Sequence, residues 1–367
     1  MKVLQIVPSS FGHNEIPLSI ARSGKGDVEI ATLDGGQGEL RGAAEELGIR
    51  LQVLAGRMVW SSTRRLRRLL RQTDCDIVLA HGHHAGWCLA VARIGLRRPP
   101  VTVVARHHNL YHHLARRRIR VLIDRLTIRM VDAMVASSTS VGDTLMAEGC
   151  PMGRLLYATN GRLWDEPPNP VETEKRQESR TASIRIVAVG NLKEEKDYPT
   201  LIRAFGRVIE NGWDADLFIA GMGPTGARAE LEALGLQCGV GDRVVFGGWC
   251  SDVLAVMATA DVVVHSSIDE ASPQAVYEAS GLGIPVVATW AGGIRDILGR
   301  YQDLVEPGDF EVLAEAISEV LANLGVARDR ADQSAADIRS AYGSDRCGES
   351  YLRACRRAHD RRIGGRR

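Results

Sequence analysis

Two acidic residues, Glu270 and Glu278, flank the start of a short helix that the residue pattern predicts near 274–281. They are eight residues apart, a little over two helical turns, so both carboxylates can face the same side. The unpaired N–H groups of a helix start favour a phosphate or a polar hydroxyl, and nearby carboxylates can accept hydrogen bonds from sugar and ribose hydroxyls. The spacing alone leaves open a plainer interpretation, in which one acid caps the helix and the other lies on the surface.

Lys196, within the polar run KEEKD (193–197), is a second residue whose side chain could take part in a reaction. When a phosphate-bearing group leaves during a reaction, negative charge grows on it. A cation at that place stabilises the transition state more than the ground state. The run by itself is equally compatible with a solvated lysine.

Histidine is concentrated in one segment, with seven of the ten residues between 81 and 113 in the motifs HGHH and RHHNLYHH. Histidine is a common zinc ligand. Adjacent histidines in a strand point to opposite faces, however, and no acidic residue lies close by in this part of the sequence. We therefore expect no metal site, and the seven scattered cysteines, which form no CxxC pair, predict reduced thiols.

The segment GMGPTG (221–226) matches the glycine pattern of dinucleotide-binding turns. In a dinucleotide fold this pattern usually follows the first strand of its domain, whereas here it follows the second strand of the second half. We interpret the turn as a close approach of the backbone to a phosphate or a base, and we expect no NAD site.

The elements that must position these residues alternate between β-rich segments and helical patterns such as 61–73 and 112–130, as in a parallel sheet covered on both faces. The predicted strands are 3–7, 28–33, 49–54, 75–80, 101–105, 132–137, 154–159, 184–190, 216–221, 243–248, 261–267 and 284–289. Residues 165–183 interrupt this alternation with three prolines and few apolar residues, which is typical of a linker.

The fold class is therefore α/β, with two Rossmann-like, doubly wound parallel-sheet domains. The predicted parts are an N-terminal domain (1–160), a linker (161–183), a C-terminal domain (184–341) and a C-terminal helix with a basic tail (342–367). Ligands of such sheets bind beyond the carboxyl ends of the strands, so we expect the site in the cleft between two facing domains.

The pattern Glu270-x7-Glu278, followed by GLGIPVVAT and Gly292-Gly293, resembles the signature of the retaining glycosyltransferases of family 4. These group 1 enzymes, which include glycogen synthase-like and mannosyltransferase-like proteins, have the GT-B fold with a C-terminal crossover helix. Further segments are similar to those of the family: HGHHAG (81–86), VVARHHN (103–109), ATNGRLW (158–164), VAVGNLKEEKDYPTLIRAF (187–205) and IAGMGP (219–224).

The resemblance implies that the C-terminal domain binds a nucleotide-diphosphate sugar. It places Lys196 at the diphosphate, Glu270 at the hydroxyls of the donor sugar and Glu278 at the ribose. The remaining donor-binding positions that it implies are Asn191, Gly223 and the backbone near Ser272 and Pro273.

In the N-terminal domain the family places a histidine near the reacting sugar, where it orients the sugar or stabilises charge on it. His107 is the best-matched position and His108 is the alternative one residue later. The loop after the first strand often contacts the diphosphate or the acceptor, and Gly12 and His13 occupy it here.

One departure from the family is Asn191, since an arginine usually stands at this position beside the lysine. Asparagine can donate a hydrogen bond but brings no charge. Arg295, which follows the Gly292-Gly293 turn, is a candidate for the missing positive charge.

Charge is unevenly distributed along a chain whose net charge is only +1, because residues 1–160 are basic and 161–350 acidic. The Arg-rich stretches 63–72 and 115–129 fit a solvated face or an anionic membrane surface. They lack the aromatic interleaving of nucleic-acid sites, so we expect no nucleic-acid partner. The absence of a long apolar run predicts a cytoplasmic protein, with peripheral contact at the inner membrane face as an option.

Together with the site residues, the resemblance implies a retaining hexosyltransferase that needs no cofactor besides its nucleotide-sugar donor. Its acceptor hydroxyl would belong to a saccharide, a lipid-linked sugar or a small molecule. Two alternatives stay open, a nucleotide-sugar epimerase of GT-B fold and a non-catalytic nucleotide-sugar-binding protein.

Overall fold

A computed structural model describes residues 1–10, 14–36, 38–54, 59–164, 183–302 and 304–364. The chain divides into two compact units. The first comprises Met1–Leu163 together with Ala341–Arg367, and the second comprises Trp164–Ser340. Most of the predicted linker lies outside the described residues.

The first unit contains a seven-stranded parallel sheet in the order β3-β2-β1-β4-β5-β6-β7. Its strands are β1 (Val3–Val7), β2 (Val28–Thr32), β3 (Leu51–Val53), β4 (Ile77–His81), β5 (Val101–Arg106), β6 (Ala133–Ala136) and β7 (Leu155–Tyr157). Its helices before the second unit are α1 (Glu15–Ser23), α2 (Glu39–Glu46), α3 (Val59–Gln72), α4 (Gly82–Ala92), α5 (Tyr111–Leu114), α6 (Arg118–Met130) and α7 (Thr139–Ala147).

The second unit contains a five-stranded parallel sheet in the order β10-β9-β8-β11-β12. Its strands are β8 (Ile184–Val189), β9 (Ala215–Ala220), β10 (Val244–Gly248), β11 (Val262–His265) and β12 (Val286–Ala288). Its helices are α8 (Tyr198–Glu210), α9 (Ala227–Gln237), α10 (Val253–Met257), α11 (Gln274–Gly281), α12 (Ile294–Leu298), α13 (Phe310–Ala322) and α14 (Leu324–Ala341).

Strands β1, β4 and β5 of the first sheet and β9 and β11 of the second are buried along their whole length, as the near-continuous Val, Ile, Leu and Ala runs predict. Each predicted strand segment overlaps an observed strand, and the prediction of two doubly wound parallel sheets is confirmed. One predicted helical stretch, 112–130, is instead two helices, α5 and α6. The break contains Arg116, whose φ of 50° is left-handed and cannot continue a right-handed helix.

The last helix, α15 (Ser344–Gly364), belongs to the core of the first unit. Tyr351 is fully buried there and its hydroxyl donates a 2.8 Å hydrogen bond to Asn160 Oδ1. Gly348 lies so close to α1 that a Cβ would be 2.1 Å from Ser23 Oγ and 2.3 Å from the Ser19 carbonyl oxygen. The C-terminal helix therefore packs on α1 at a contact that requires glycine.

Within the described residues, none of the helices combines the length and apolar character that crossing a bilayer requires. All seven cysteines are free thiols, and four of them are buried.

Gly348→Ala should lower the free energy of unfolding by about 1–3 kcal/mol, because the added methyl group overpacks the contact between α15 and α1. Urea unfolding followed by circular dichroism measures the change. Gly42→Ala is the matched control, since Gly42 is also helical, in the same unit, and has open space around its Cβ position. There the exchange should stabilise by about 0.5–1 kcal/mol. Equal effects of the two substitutions would contradict the packing described for α15.

Candidate functional site

Lys196 and Glu270 meet at the carboxyl end of the second sheet. Lys196 Nζ donates to Glu270 Oε1 over 2.5 Å. The same oxygen is 2.8 Å from His265 Nε2 and accepts a 2.9 Å hydrogen bond from Ser267 Oγ. The Glu270 side chain is only 12% exposed. Three donors thus surround one oxygen of a carboxylate that is almost withdrawn from water.

The charges in this cluster decide its protonation. Burial would raise the pKa of the Glu270 carboxyl, but the Lys196 ammonium and the His265 hydrogen bond outweigh burial and hold that pKa well below its usual range. Burial, together with the Lys196 charge, lowers the pKa of His265. At neutral pH the cluster therefore holds a carboxylate, an ammonium and a neutral imidazole.

The loops after β8 and β11 are tied together by the residues around this pair. Lys196 ends a 3₁₀ turn, and Asp197 then takes a left-handed conformation and caps α8. Ser266 Oγ donates to the carbonyl of Lys196 at 2.9 Å, and the Ile268 amide donates to the carbonyl of Glu195 at 2.9 Å. Since β8 and β11 are neighbours, the sheet order brings the lysine and the acid together.

The turn Gly292-Gly293 supports Glu270 from the next strand, β12. A Cβ on Gly292 would lie 1.9 Å from the Glu270 carbonyl oxygen, and Gly292 has a left-handed φ of 50°. The Gly293 amide donates to the same carbonyl at 3.0 Å. The two glycines therefore let the chain after β12 pack directly on the backbone of Glu270.

Helix α11 begins after Pro273, its N-cap residue, as the sequence predicts. Ser272 is half-buried and Pro273 is buried. Because proline has no N–H group, any backbone donors of this helix start come from Gln274 onward. Glu278 is 5% exposed, so the interpretation as a surface acid is wrong.

Gly223 and its neighbours lie at the ends of β8 and β9. A Cβ on Gly221 would be 1.9 Å from the Gly190 carbonyl oxygen, and one on Gly223 would be 2.6 Å from Leu192 Cβ. The Leu192 amide donates to the Met222 carbonyl at 2.7 Å. Packing between two turns therefore requires these glycines, whether or not a ligand also approaches them.

Asn191 and Arg295 are both exposed. The Arg295 guanidinium lies over the indole of Trp290, 4.5 Å from the ring centroid. Trp290 in turn donates from Nε1 to Glu306 at 2.7 Å. It stays a prediction that Arg295 supplies the positive charge that Asn191 lacks.

In the first unit, His107 is held by a neighbouring histidine. His107 Nε2 is 3.0 Å from His81 Nδ1, and the two rings stack at 5.3 Å with an interplanar angle of 5°. Burial lowers the pKa of His107 to about 4. The other loop residues predicted to contact the ligand, Gly12 and His13, lie outside the described residues.

His108 belongs to a different cluster, with His83 and His112. Burial, reinforced by the Arg106 charge, lowers the pKa of His108 to about 2. Its ring centroid is 4.8 Å from that of His112. The structure thus separates the two neighbouring histidines between two networks.

An acidic residue lies within this histidine cluster, which corrects the expectation of none nearby. Asp124 contacts His83 Nδ1 through Oδ1, and its Oδ2 is 2.8 Å from His112 Nδ1. The three ligand atoms lie within 4.8 Å of one another, which is compatible with a metal ion. Both imidazoles already hydrogen-bond to the carboxylate, however, and the Arg106 guanidinium is 3.7 Å from Asp124. These contacts form a hydrogen-bonded charge network, and the nearby cation opposes a metal ion.

Sequence reasoning found Lys196, Glu270 and the helix start, but it missed the role of His265 and Ser267 as donors to Glu270. The only signal for them was their place at the end of a buried strand. It also missed Asp124, which lies far from His83 in the sequence and reaches it from α6.

Comparison with known proteins decides the family. Residues 183–323 match the model of the group 1 glycosyl transferases, and residues 19–161 match that of the glycosyl transferase 4-like domain. The chain belongs to the group 1 glycosyltransferases. This confirms the resemblance seen in its motifs.

Two curated relatives of this group 1 glycosyltransferase illustrate its range. A 2-deoxystreptamine glucosyltransferase of Streptomyces kanamyceticus is 27% identical over 69% of this chain and 70% of its own length. The lipopolysaccharide core biosynthesis glycosyltransferase LpsE of Rhizobium meliloti is 28% identical over 46% of this chain and 48% of its own.

Solved structures establish the GT-B fold of this group 1 glycosyltransferase. Anabaena Alr3699/HepE in complex with UDP-glucose has a TM-score of 0.83 at 19% identity, covering 96% of this chain and 98% of that one. The sucrose-phosphate synthase of Thermosynechococcus elongatus has a TM-score of 0.80 at 16% identity, covering 97% and 98%.

In this glycosyltransferase, Lys196→Met should leave the buried Glu270 carboxylate without its cation. Its loss should cost on the order of 3 kcal/mol of unfolding free energy at pH 7. The pKa of Glu270 is below its ordinary 4.5 in the folded protein, so the pair stabilises above that pH and its contribution is lost as the pH falls. The difference between the two proteins should therefore shrink from pH 7 towards pH 3, because the variant's carboxyl is protonated first.

Denaturant unfolding at several pH values measures this difference. Lys193→Met is the control, because Lys193 is 45% exposed and only 3.8 Å from Glu195. It should change stability little at any pH. A pH-independent cost for Lys196→Met would show that its ammonium does not set the protonation of Glu270.

Proposed function

We propose that this chain is a retaining hexosyltransferase that moves a hexosyl group from a nucleotide-diphosphate sugar to an acceptor hydroxyl. The observation that supports this most is the buried Lys196–Glu270 pair at the carboxyl ends of β8 and β11. A cation and a fixed carboxylate at this edge of a parallel sheet match what a diphosphate and a polyhydroxylated sugar require. UDP-glucose in the complex of the structurally similar Anabaena protein is in keeping with such a donor.

In this proposal the ammonium of Lys196 also binds the diphosphate and stabilises the charge that grows on it as the glycosyl bond breaks. An ammonium has three N–H donors, so it can hold Glu270 and phosphate oxygens at once. This positive charge supports a transfer without a divalent metal ion. The exposed amide of Asn191 and, if it swings from Trp290, the guanidinium of Arg295 would add to diphosphate binding.

Glu270 is proposed to hold the donor sugar. Among the described residues, the donors converge on Oε1, and Oε2 would accept from sugar hydroxyls. The buried Glu278 would accept from the ribose, and the start of α11 after Ser272 and Pro273 would present N–H groups to the phosphates. Gly223 would keep the turn after β9 close to the nucleotide.

Retention requires no protein nucleophile in this proposal. The acceptor hydroxyl attacks from the face of the leaving diphosphate, whose oxygen takes the hydroxyl proton. The low pKa of Glu270 supports a transfer in which this residue does not attack the sugar, because an ionised acid that three donors already bind is a weak nucleophile. His107 would orient the sugar, with His108 as the less favoured position because it belongs to the other network.

The acceptor class stays broad, and the curated relatives include enzymes named for an aminocyclitol and for a lipopolysaccharide core. We propose a saccharide, lipid-linked or small-molecule acceptor, and we propose that the protein works in the cytoplasm.

Replacing Lys196 or Glu270 by alanine should each reduce transfer by at least about 10²-fold, the scale of one electrostatic donor. The donor is first identified by thermal unfolding with UDP-, GDP-, ADP- and dTDP-sugars. A ligand at 100 times its Kd adds about 2.7 kcal/mol to the folded state. Transfer rates with that donor and an acceptor panel then compare the variants with the natural protein.

Lys193→Ala is the control, because it removes an exposed lysine of the same loop. Near-normal rates in Lys196→Ala or Glu270→Ala would refute the assigned roles. If none of the nucleotide sugars stabilised the protein against thermal unfolding, the donor site itself would be refuted.

We also propose contact with an anionic membrane, through α6 rather than α3. The exposed face of α3 carries arginines while Leu66 and Leu70 are buried. Helix α6 exposes Ile119 (75%) and Leu122 (55%) among arginines. Apolar side chains can enter the acyl region while arginines remain at the headgroups, which favours α6 as the membrane-contacting helix.

Ile119→Ser combined with Leu122→Ser should lower binding to phosphatidylglycerol vesicles at least about tenfold, because each buried CH₂ contributes ~0.8 kcal/mol. Co-sedimentation with these vesicles and with phosphatidylcholine vesicles measures binding. Met152→Ser, at a 77% exposed apolar residue elsewhere in the first unit, is the control. Unchanged binding of the double variant would exclude α6 as the contact.

A further inference from the structure

A chain of hydrogen bonds runs through the buried interior of the first unit to His107. Gln5 Nε2 donates to the Pro17 carbonyl at 2.9 Å. Gln5 Oε1 is 2.9 Å from His81 Nε2, and His81 Nδ1 is 3.0 Å from His107 Nε2. Gln5 is fully buried and His81 is 4% exposed. No water can therefore replace these partners easily.

The donor and acceptor of every hydrogen bond in this chain follow from the Pro17 carbonyl at its start. A carbonyl oxygen can only accept, so the amide nitrogen of Gln5 must face Pro17 and its oxygen must face His81. His81 then carries its proton on Nε2 and presents a lone pair at Nδ1. His107 must in turn donate from Nε2, which leaves its Nδ1 without a proton.

The Nδ1 atom of His107 has no partner among the described residues and is shielded from solvent. Tyr351, whose ring is 6.4 Å from that of His107, donates its hydroxyl to Asn160 instead. Burial keeps both imidazoles neutral at physiological pH, since it lowers the pKa of His107 to about 4 and holds that of His81 well below its ordinary value. A buried lone pair of this kind needs a donor, and none of the residues that the structure describes supplies one.

We infer that Gln5 and His81 are positioning residues, which fix His107 as the Nε2–H tautomer so that its Nδ1 accepts a hydrogen bond from a hydroxyl of a substrate sugar. This inference rests on the proposed glycosyl transfer for the nature of the ligand. The tautomer itself is a property of the protein alone. His107 can then orient a hydroxyl, but it cannot donate a proton from Nδ1.

The tautomer is tested by nitrogen-15 NMR of protein labelled at its histidines, with His107→Ala to assign the signals. At pH 7 the natural protein should show His107 with a protonated Nε2 and a non-protonated Nδ1. Gln5→Met keeps the length of the side chain but removes the amide, so His81 and His107 should both become mixtures of tautomers. A protonated Nδ1 in the natural protein, or an unchanged spectrum in Gln5→Met, would overturn the inference.

Two further variants keep this test independent of general destabilisation. Thr102→Val removes a buried hydroxyl of β5 that donates to Asp132, and it should leave the His107 tautomer unchanged. His81→Phe removes the acceptor of the His107 Nε2 proton. It should therefore give a mixture of His107 tautomers, and it provides this test even if Gln5→Met folds poorly. If Thr102→Val also changed the His107 tautomer, the tautomer changes in the other variants would reflect general destabilisation and not the loss of specific hydrogen bonds.

The role towards substrate is tested by kcat/KM with the donor sugar that stabilises the protein, UDP-glucose being the first probe. Gln5→Met should lose about tenfold, the scale of one hydrogen bond. It should lose nothing further when His107 is already alanine, because Gln5 acts only through His107. Equal losses in both backgrounds would overturn the positioning role. A correct tautomer in a protein that transfers no glycosyl group would overturn the proposed function instead.

Discussion

A carboxylate withdrawn from water must be paired, and this condition at Glu270 governs the second unit's site. The cation comes from the loop after β8, the imidazole from the end of β11, and the backbone support from the turn after β12. These three strands are consecutive in the sheet, so their carboxyl ends lie side by side. Uncompensated burial of the acid would cost several kcal/mol. The loops therefore have to keep their mutual positions for the charge to remain stable.

Glycine makes this close assembly of loops sterically feasible. A Cβ at Gly292 would come within 1.9 Å of the Glu270 carbonyl oxygen, and a Cβ at Gly221 would come within 1.9 Å of the Gly190 carbonyl oxygen. Neighbouring turns at the sheet edge thus interlock through backbone contacts, which side chains would prevent. A glycine motif of this kind indicates close packing between turns at least as directly as it indicates ligand binding. In the proposed site, the residues that pack these turns together would also face the phosphates.

Sequence reasoning identified the strands, because unbroken apolar runs report burial on both faces of a sheet. It also identified Lys196, Glu270 and α11, whose signals are local in the chain. It could not identify Asp124 beside His83, or the path from Gln5 to His107, because those contacts depend on strand order and on helices that return from distant segments. The break at Arg116 was missed because a left-handed residue within an arginine-rich run has no compositional mark.

Two buried polar groups, Glu270 in the second unit and His107 in the first, are held in opposite electrostatic states. Glu270 stays charged because Lys196 compensates it. His107 stays neutral because burial disfavours its charged form, and its hydrogen-bond partner His81 brings no negative charge. Both nevertheless resist protonation, since the pKa of each lies well below neutrality. Two such groups are suited to accept hydrogen bonds from hydroxyls and unsuited to carry a proton away. The proton of an attacking hydroxyl then needs another destination, which supports the proposal that an oxygen of the leaving diphosphate receives it.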